Sequence, residues 1–188
     1  MNVCLDLREF YSNINKNKQE VSINVGGYQA VILLGGNIGD VRKSFEMVAE
    51  ALISFGEIER KSSIYQTEAW GMENADAFLN QVLQFKTNEN PEKLLQKLLD
   101  IEEQLGRKRS NTGAYLARNI DIDILFIDSL ILKMPKLEIP HPRLHLRRFT
   151  LEPLVEIIPN YIHPVLKRTM VELHLNLKDN LKVERLDG

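Results

Sequence analysis

The sequence predicts an α+β fold, an antiparallel sheet with helices packed on it. Three observations carry this prediction: short apolar or alternating runs bounded by breakers, two stretches with apolar residues at helical spacing, and the order in which these follow one another.

Gln29 to Gly35 (QAVILLG) is an apolar run closed by glycine, the pattern of a buried strand. Asp40 can cap a helix whose apolar positions Val41, Phe45, Val48, Leu52 and Phe55 repeat at helical spacing, with Gly56 as its stop. Ile58 to Tyr65 reads as a second strand and Thr67 to Ala77 as a loop. Leu79 to Thr87 alternates with imperfect period through Leu79, Val82, Leu83 and Phe85, giving a third strand. Asn90-Pro91 pairs a capping residue with a proline in the first turn of a helix. Leu94, Leu95, Leu98, Leu99 and Ile101 form its inner face, and Gly106 stops it. Ile120 to Ile127 is a fourth strand. Pro135, Pro140 and Pro142 mark turns, Leu151 to Ile157 a short helix, and Thr169 with Glu172 a capping box that opens a last helix. Strand, helix, strand, strand, helix, strand is the split β-α-β order of a ferredoxin-like sandwich with helices on one face, here followed by an irregular C-terminal part.

Residues 1–27, rich in Asn and Lys around SNINKNKQE, read as an N-terminal extension without an assigned role, and residues 28–188 as the domain proper. In 188 residues, 44% are hydrophobic and 27% charged, an ordinary globular composition. The single cysteine, Cys4, excludes an intrachain disulfide and suits a cytoplasmic location. The N-terminus lacks the apolar core of a signal peptide, and no apolar run is long enough to span a membrane. A net charge of −2 argues against nucleic acid as partner. The charge is uneven, however. Arg107 to Arg148 holds nine Lys or Arg against four acids, about +5, which leaves about −7 for the rest. A local cationic cluster in an acidic chain suits a small anion better than a polymer.

Beside that cluster, Arg118-Asn-Ile-Asp-Ile-Asp-Ile-Leu125 puts Asp121 and Asp123 on one strand face, with Ile120, Ile122 and Ile124 on the other. Cα atoms two residues apart stand roughly 6.5–7 Å from each other on a strand. Carboxylates at that spacing repel unless a cation lies between them, and magnesium takes one or two carboxylates plus phosphate oxygens. An exposed strand that merely carries two acids is the plain alternative. Arg107, Lys108, Arg109 and Arg118 frame an acid-free loop, and the arginines offer forked donors suited to phosphate. Pro140 to Phe149 adds His141, Arg143, His145, Arg147 and Arg148. GGNIGD after the first strand lacks the spacing and the Lys-Ser/Thr of a nucleotide-binding P-loop. Zinc fits poorly, because no cysteine joins the histidines. Phe78 and Asn80 could stack on and read a flat heterocycle, although Phe78 alone would read as core.

These residues together resemble the 6-hydroxymethyl-7,8-dihydropterin pyrophosphokinase family from about Tyr28 to about Leu166. The resemblance rests on LLGGN, Y-Q-T-x-x-W-G at Tyr65 to Gly71, F-L-N at Phe78 to Asn80, and E-x-x-x-G-R-x-R at Glu102 to Arg109. R-x-I-D-I-D-I-L at Arg118 to Leu125 and P-H-x-x-x-x-x-R-x-F at Pro140 to Phe149 complete it. It implies a monomeric enzyme of folate synthesis that transfers diphosphate from ATP to the pterin hydroxymethyl group and releases AMP. It further implies two magnesium ions on Asp121 and Asp123, and triphosphate contacts from Arg107, Arg109, Arg118, His141 and Arg147. Glu102 would lie near the nucleoside and Tyr115 beside the ATP. The pterin would stack between Phe78 and Phe149, with Asn80 and the loop around Thr67 and Trp70 reading its edge. Arg107 and Arg118 would join the acids in catalysis, while the loops at 67–77 and 110–117 close over the substrates. The chain departs from the family at Ala69, where proline is common, and at Tyr115-Leu116-Ala117, in a loop that is one residue longer. A ligand-binding regulatory domain without catalysis, or a metal-dependent nuclease, could use the same scaffold or acids.

Overall fold

The computed structural model describes residues 27–67, 77–106 and 119–186. Strand β1 (Tyr28–Gly36) leads into helix α1 (Val41–Ile53), then β2 (Gly56–Lys61), β3 (Ile64–Thr67) and β4 (Phe78–Thr87). Helix α2 (Pro91–Gln104) precedes β5 (Asp121–Ile127), and a hairpin of β6 (Leu132–Met134) and β7 (Leu137–Ile139) follows. A 3₁₀ turn (Leu144–Leu146), α3 (Arg148–Ile157), α4 (Met170–Leu175) and β8 (Val183–Leu186) follow.

The strands of the main sheet run in the order β5-β1-β4-β3-β8, with β2 also on β4, and every pairing is antiparallel. This is the expected ferredoxin-like arrangement. The caps form as their residue types dictate. The Asp40 side chain accepts from the Lys43 amide at 3.1 Å, Asn90 accepts from the Lys93 amide at 2.9 Å with Pro91 behind it, and Thr169 and Glu172 close a capping box.

The structure departs from the sequence expectation in the second strand and in the helical layers, and it adds β8 as a strand on β3. The single second strand is two, β2 and β3, both on β4. Between them Ser62 donates its amide to the Val82 carbonyl and accepts the Val82 amide on its hydroxyl, both at 2.9 Å. A side-chain oxygen thus stands in for the main-chain acceptor, and the strand kinks without orphaning a donor of the central sheet. Helices also cover both faces rather than one. Ile32, Leu34, Leu83 and Phe85 pack under α1 and α2, while Val31, Leu33, Val82 and Phe126 pack under Leu144, Leu151, Leu154, Ile157, Met170 and Leu173. Ala30 to Leu34 are all buried, so β1 needs a cover on each side, and the C-terminal part supplies the second.

A bulge sharpens the picture at β5. Its register against β1 shifts between Val31 and Ile32, leaving Leu125 as the extra residue. Ile122 and Ile124 therefore face the first core, whereas Leu125 and Phe126 both reach the second. Among the described residues no helix is long and apolar enough to cross a membrane.

The second layer carries a titrating residue in its packing. His163 is 4% exposed, its ring stands edge-on to Phe126, and its Nδ1 accepts from the Val165 and Leu166 amides at 3.2 Å each. Burial, with His145 beside it, lowers its pKa from 6.5 to about 4. The folded state favours the neutral ring, so the unfolded chain binds the proton first. This contribution is complete above pH 6.5 and is lost as pH falls toward about 4. His163→Asn keeps an acceptor near the Nδ1 position without titrating. Urea denaturation at pH 7 and pH 5 is expected to show a smaller acid loss for His163→Asn than for the natural chain, and equal losses would contradict the assignment.

Candidate active site

The register of the sheet brings together residues that are far apart in the chain. Asp121 on β5 lies opposite Gly35 on β1, Gly35 opposite Asn80 on β4, and Asn80 opposite Tyr65 on β3. Directly opposed residues share a face, and Asp123 and Val82 follow two residues on as partners of Leu33, on the α3 side of the sheet. Asp121, Asp123, Phe78 and Asn80 therefore project from one face at one end of the sheet. Gly35 keeps the floor between acid and amide open: a Cβ there would stand 3.4 Å from Asn80 Oδ1. Gly36 is fixed by a different contact, since its Cβ would come within 2.6 Å of the Asn119 carbonyl. The GGN turn is thus a close approach of two backbones, a role the sequence alone did not assign.

Asn80 and Thr67 are almost fully buried, and the Asn80 amide donates to Thr67 Oγ1 at 3.1 Å. That bond leaves Oδ1 on the Gly35 side. The next layer of support comes from Tyr65, whose hydroxyl donates to Glu156 of α3 at 2.9 Å and so ties the helix to β3. Burial and the neighbouring carboxylate push the Tyr65 pKa well above its ordinary range.

The outer edge of β5 is closed by two bonds. The Ile122 amide, between the two acids, donates to Glu102 Oε1 at 2.7 Å, and the His141 amide donates to the Leu125 carbonyl at 2.9 Å. Glu102, expected beside a nucleoside, is 1% exposed, and its Oε1 is the acceptor for this backbone amide. His141 is half-buried. Burial first, then the charges of Arg147 and Arg143, lower its pKa to about 4 against the opposing pull of Asp121. Its Nδ1 accepts from the Arg143 amide at 3.3 Å, which leaves the proton on Nε2 as a donor. The Arg147 guanidinium stands 5.4 Å from the ring centre of Phe149, and that ring packs partly against the second core.

Of the residues singled out in the sequence, Trp70, Arg107, Arg109, Tyr115 and Arg118 lie outside the described residues, as do the two expected closing loops for most of their length. Asp121, Asp123, Phe78, Asn80 and Thr67 share the sheet end, and His141 lies within electrostatic reach of Asp121 and Arg147. An open cleft of about 300 Å³ lined by Asn37, Asp40, Arg42, Gln66 and Leu79 sits at the same end. Leu79 packs on the first core, so that cleft opens on the α1 side, away from the acids.

Magnesium needs few protein ligands when a polyphosphate supplies the rest. Two half-buried carboxylates on one strand face meet that need. Among the described residues no group of three or more His, Cys, Asp or Glu is poised for a metal. The donors fit a hard cation brought in with a substrate rather than a permanently caged one.

An antiparallel split β-α-β sheet with two carboxylates, a neutral imidazole and a buried amide at one end has the frame of a kinase-type transferase acting on a small molecule. The model of the 7,8-dihydro-6-hydroxymethylpterin-pyrophosphokinase family matches residues 31–159, and the chain belongs to that family. It is 42% identical over 140 residues to the 2-amino-4-hydroxy-6-hydroxymethyldihydropteridine pyrophosphokinase of Aquifex aeolicus, covering 74% of this chain and 86% of that one. It is 38% identical over 146 residues to the Synechocystis protein of the same name, covering 77% and 73%. Among solved structures, a Plasmodium falciparum HPPK-DHPS A437G chain superposes with a TM-score of 0.63 at 19% identity, covering 79% of this chain and 45% of that chain. This chain spans less than half of that larger protein, and the likeness is one of fold.

The Glu102 bond to the strand between the acids yields a stability test. Glu102→Ala leaves the buried Ile122 amide without its acceptor and is expected to cost about 1–3 kcal/mol in urea denaturation. Glu102→Gln keeps an acceptor and should lose less; an alanine variant as stable as the natural chain would show that the bond does not hold the strand.

Proposed function

We propose that this chain transfers the diphosphate of ATP to the hydroxymethyl oxygen of 6-hydroxymethyl-7,8-dihydropterin and releases AMP, with Asp121 and Asp123 as the ligands of two magnesium ions. The chain is a pterin pyrophosphokinase of folate synthesis by family; the residue roles are our reading. The observation that carries it is the row Asp121, Gly35, Asn80, which sets an acid pair and a buried amide on one face with a side-chain-free floor between them. The acids would hold the cation end of the ATP–metal complex. His141, neutral with a proton on Nε2, would donate to a phosphate oxygen, and Arg147 would offer its guanidinium fork beside it. Arg107, Arg109 and Arg118 would complete the anion clamp, with Tyr115 and Glu102 on the ATP side. Bound magnesium supplies charge neutralisation and alignment of the phosphates.

On the pterin side, the Asn80 amide, fixed by Thr67, would read the ring edge together with the segment at Trp70. Phe78 and Phe149 would take its two faces. A pterin held there presents its hydroxymethyl oxygen toward the acids for in-line attack on the β-phosphorus, and catalysis follows from positioning and electrostatics. The proposal includes a cytoplasmic monomer, with residues 28–188 as a single catalytic domain and 1–27 as an extension. A regulatory domain on the same scaffold would need neither the acid pair nor metal-dependent turnover.

Phosphorus NMR of the protein with ATP, magnesium and the reduced pterin is expected to show AMP and a pterin diphosphate; ADP and a pterin monophosphate would refute the reaction. Asp121→Ala and Asp123→Ala should each lower turnover by ~10²-fold or more with the fold retained. More than half the natural kcat in either variant at saturating magnesium would remove that residue from the metal site.

A further inference from the structure

Helix α3 begins between two residues of the proposed site, Arg147 before it and Phe149 inside its first turn, and the N-cap residue Arg147 makes no side-chain capping bond to the helix. The amide at that first position, Arg148, is met from far along the chain. It donates to Asp179 Oδ2 at 2.8 Å, and the Arg148 side chain donates from Nε to the Asp179 carbonyl at 3.0 Å. The other carboxylate oxygen of Asp179 accepts the Leu181 amide at 3.0 Å. Arg148 also reaches Glu152 at 3.1 Å, and His174 Nε2 of α4 lies 2.9 Å from the same Glu152 oxygen. From Asp179 the chain runs directly into β8, where Val183 pairs with Thr67. A single tail segment therefore touches both walls of the pocket: the start of α3 and the strand that carries Thr67. The family match ends at residue 159, so this tail lies beyond it.

We propose that Asp179 is a positioning residue for the substrate pocket: by capping the Arg148 amide from the tail it fixes the start of α3, and with it the directions of Phe149 and Arg147. The proposal rests on the reading of Phe149 as a wall of the pterin pocket. The physical reason is that the first amides of a helix have no intrahelical acceptor, so a carboxylate there satisfies a donor and favours the helix's positive end. Without it the first turn can fray, and the two side chains it carries lose a fixed direction while the core of α3, held by Leu151 and Leu154, stays in place.

Calorimetric titration with the reduced pterin of four full-length proteins, natural, Asp179→Ala, Asp179→Asn and Phe149→Ala, tests this, with thermal melts run alongside. Asp179→Ala is expected to weaken pterin binding by about five- to tenfold, in line with the usual effect of losing a helix cap. Asp179→Asn, which retains an acceptor, should stay within about twofold of the natural chain. A merely structural role would lower the melting temperature and leave the affinity of the folded protein unmoved. Should Asp179→Ala melt below the titration temperature, Arg148→Met serves instead. It strips the Nε bond to Asp179 together with the ion pair to Glu152 but spares the amide bond, and is expected to weaken binding by about two- to threefold. Natural affinity in Asp179→Ala, or in Arg148→Met where that variant is used, beside a clear loss in Phe149→Ala overturns the inference. Natural affinity in Phe149→Ala overturns the pocket reading, and the inference with it.

Discussion

The register of β1 between β5 and β4 is the constraint on which the rest of this molecule depends. Every residue of the site on the sheet owes its place to it, because Asp121 and Asn80 meet only through their shared partner Gly35. A slip of one residue would turn each side chain to the opposite face. Such a slip is prevented by burial on both sides. Ile32 and Leu34 are locked into the core under α1 and α2, and Val31 and Leu33 into the core under α3 and α4. Displacing β1 by one position would move side chains between two cores of different shape, at a cost of several buried aliphatic contacts. The double-sided burial of one strand thus fixes the geometry of a polar site at its end.

The edge strand β5 poses the complementary problem. It carries two acids of like charge and would, unprotected, offer a row of unpaired backbone groups. The structure closes that edge with a buried carboxylate, Glu102, and with the His141 amide, so the segment holding His141 is anchored to the strand holding the acids. Charge and support are coupled here. Burial first, and then the charges of Arg147 and Arg143, keep the His141 imidazole neutral, while Asp121 pulls the other way, and the balance leaves a donor rather than a cation. A neutral donor within reach of Asp121 can contact a phosphate oxygen without forming an ion pair with an acid that a metal would use.

Local chemistry was legible in the sequence where the interaction itself is local. Asp40, Asn90 and the Thr169–Glu172 box cap helices through bonds spanning three residues, and each stands as the sequence implied. The face of β5 is legible through Leu125 and fails at Phe126, which joins Leu125 in the second core, because a bulge depends on the partner strand and leaves no periodic trace. β8 was missed for a similar reason. Val-Glu-Arg-Leu has neither alternation nor an apolar run, and its place is set by pairing with β3. The second helical layer was understated because Leu144, Leu151, Leu154, Met170 and Leu173 make one surface only after the chain has turned twice. At the site, the acid pair and its common face could be read directly from D-x-D on a strand. The meeting of Asp121 with Asn80 could not, since nothing short of the pairing register relates residues 121 and 80. The proposed opposition of Phe78 and Phe149 rests on family likeness alone.

The central claim is that Asp121 and Asp123 gather divalent cations only together with a polyphosphate, at the end of a sheet whose register sets them there. Counting bound Mn²⁺ by electron paramagnetic resonance, with and without a non-hydrolysable ATP analogue, addresses it most directly. The account predicts two Mn²⁺ per chain with the analogue, weak binding without it, and fewer than two in Asp121→Ala and Asp123→Ala with the analogue present. Two Mn²⁺ still bound with the analogue in both variants would contradict it.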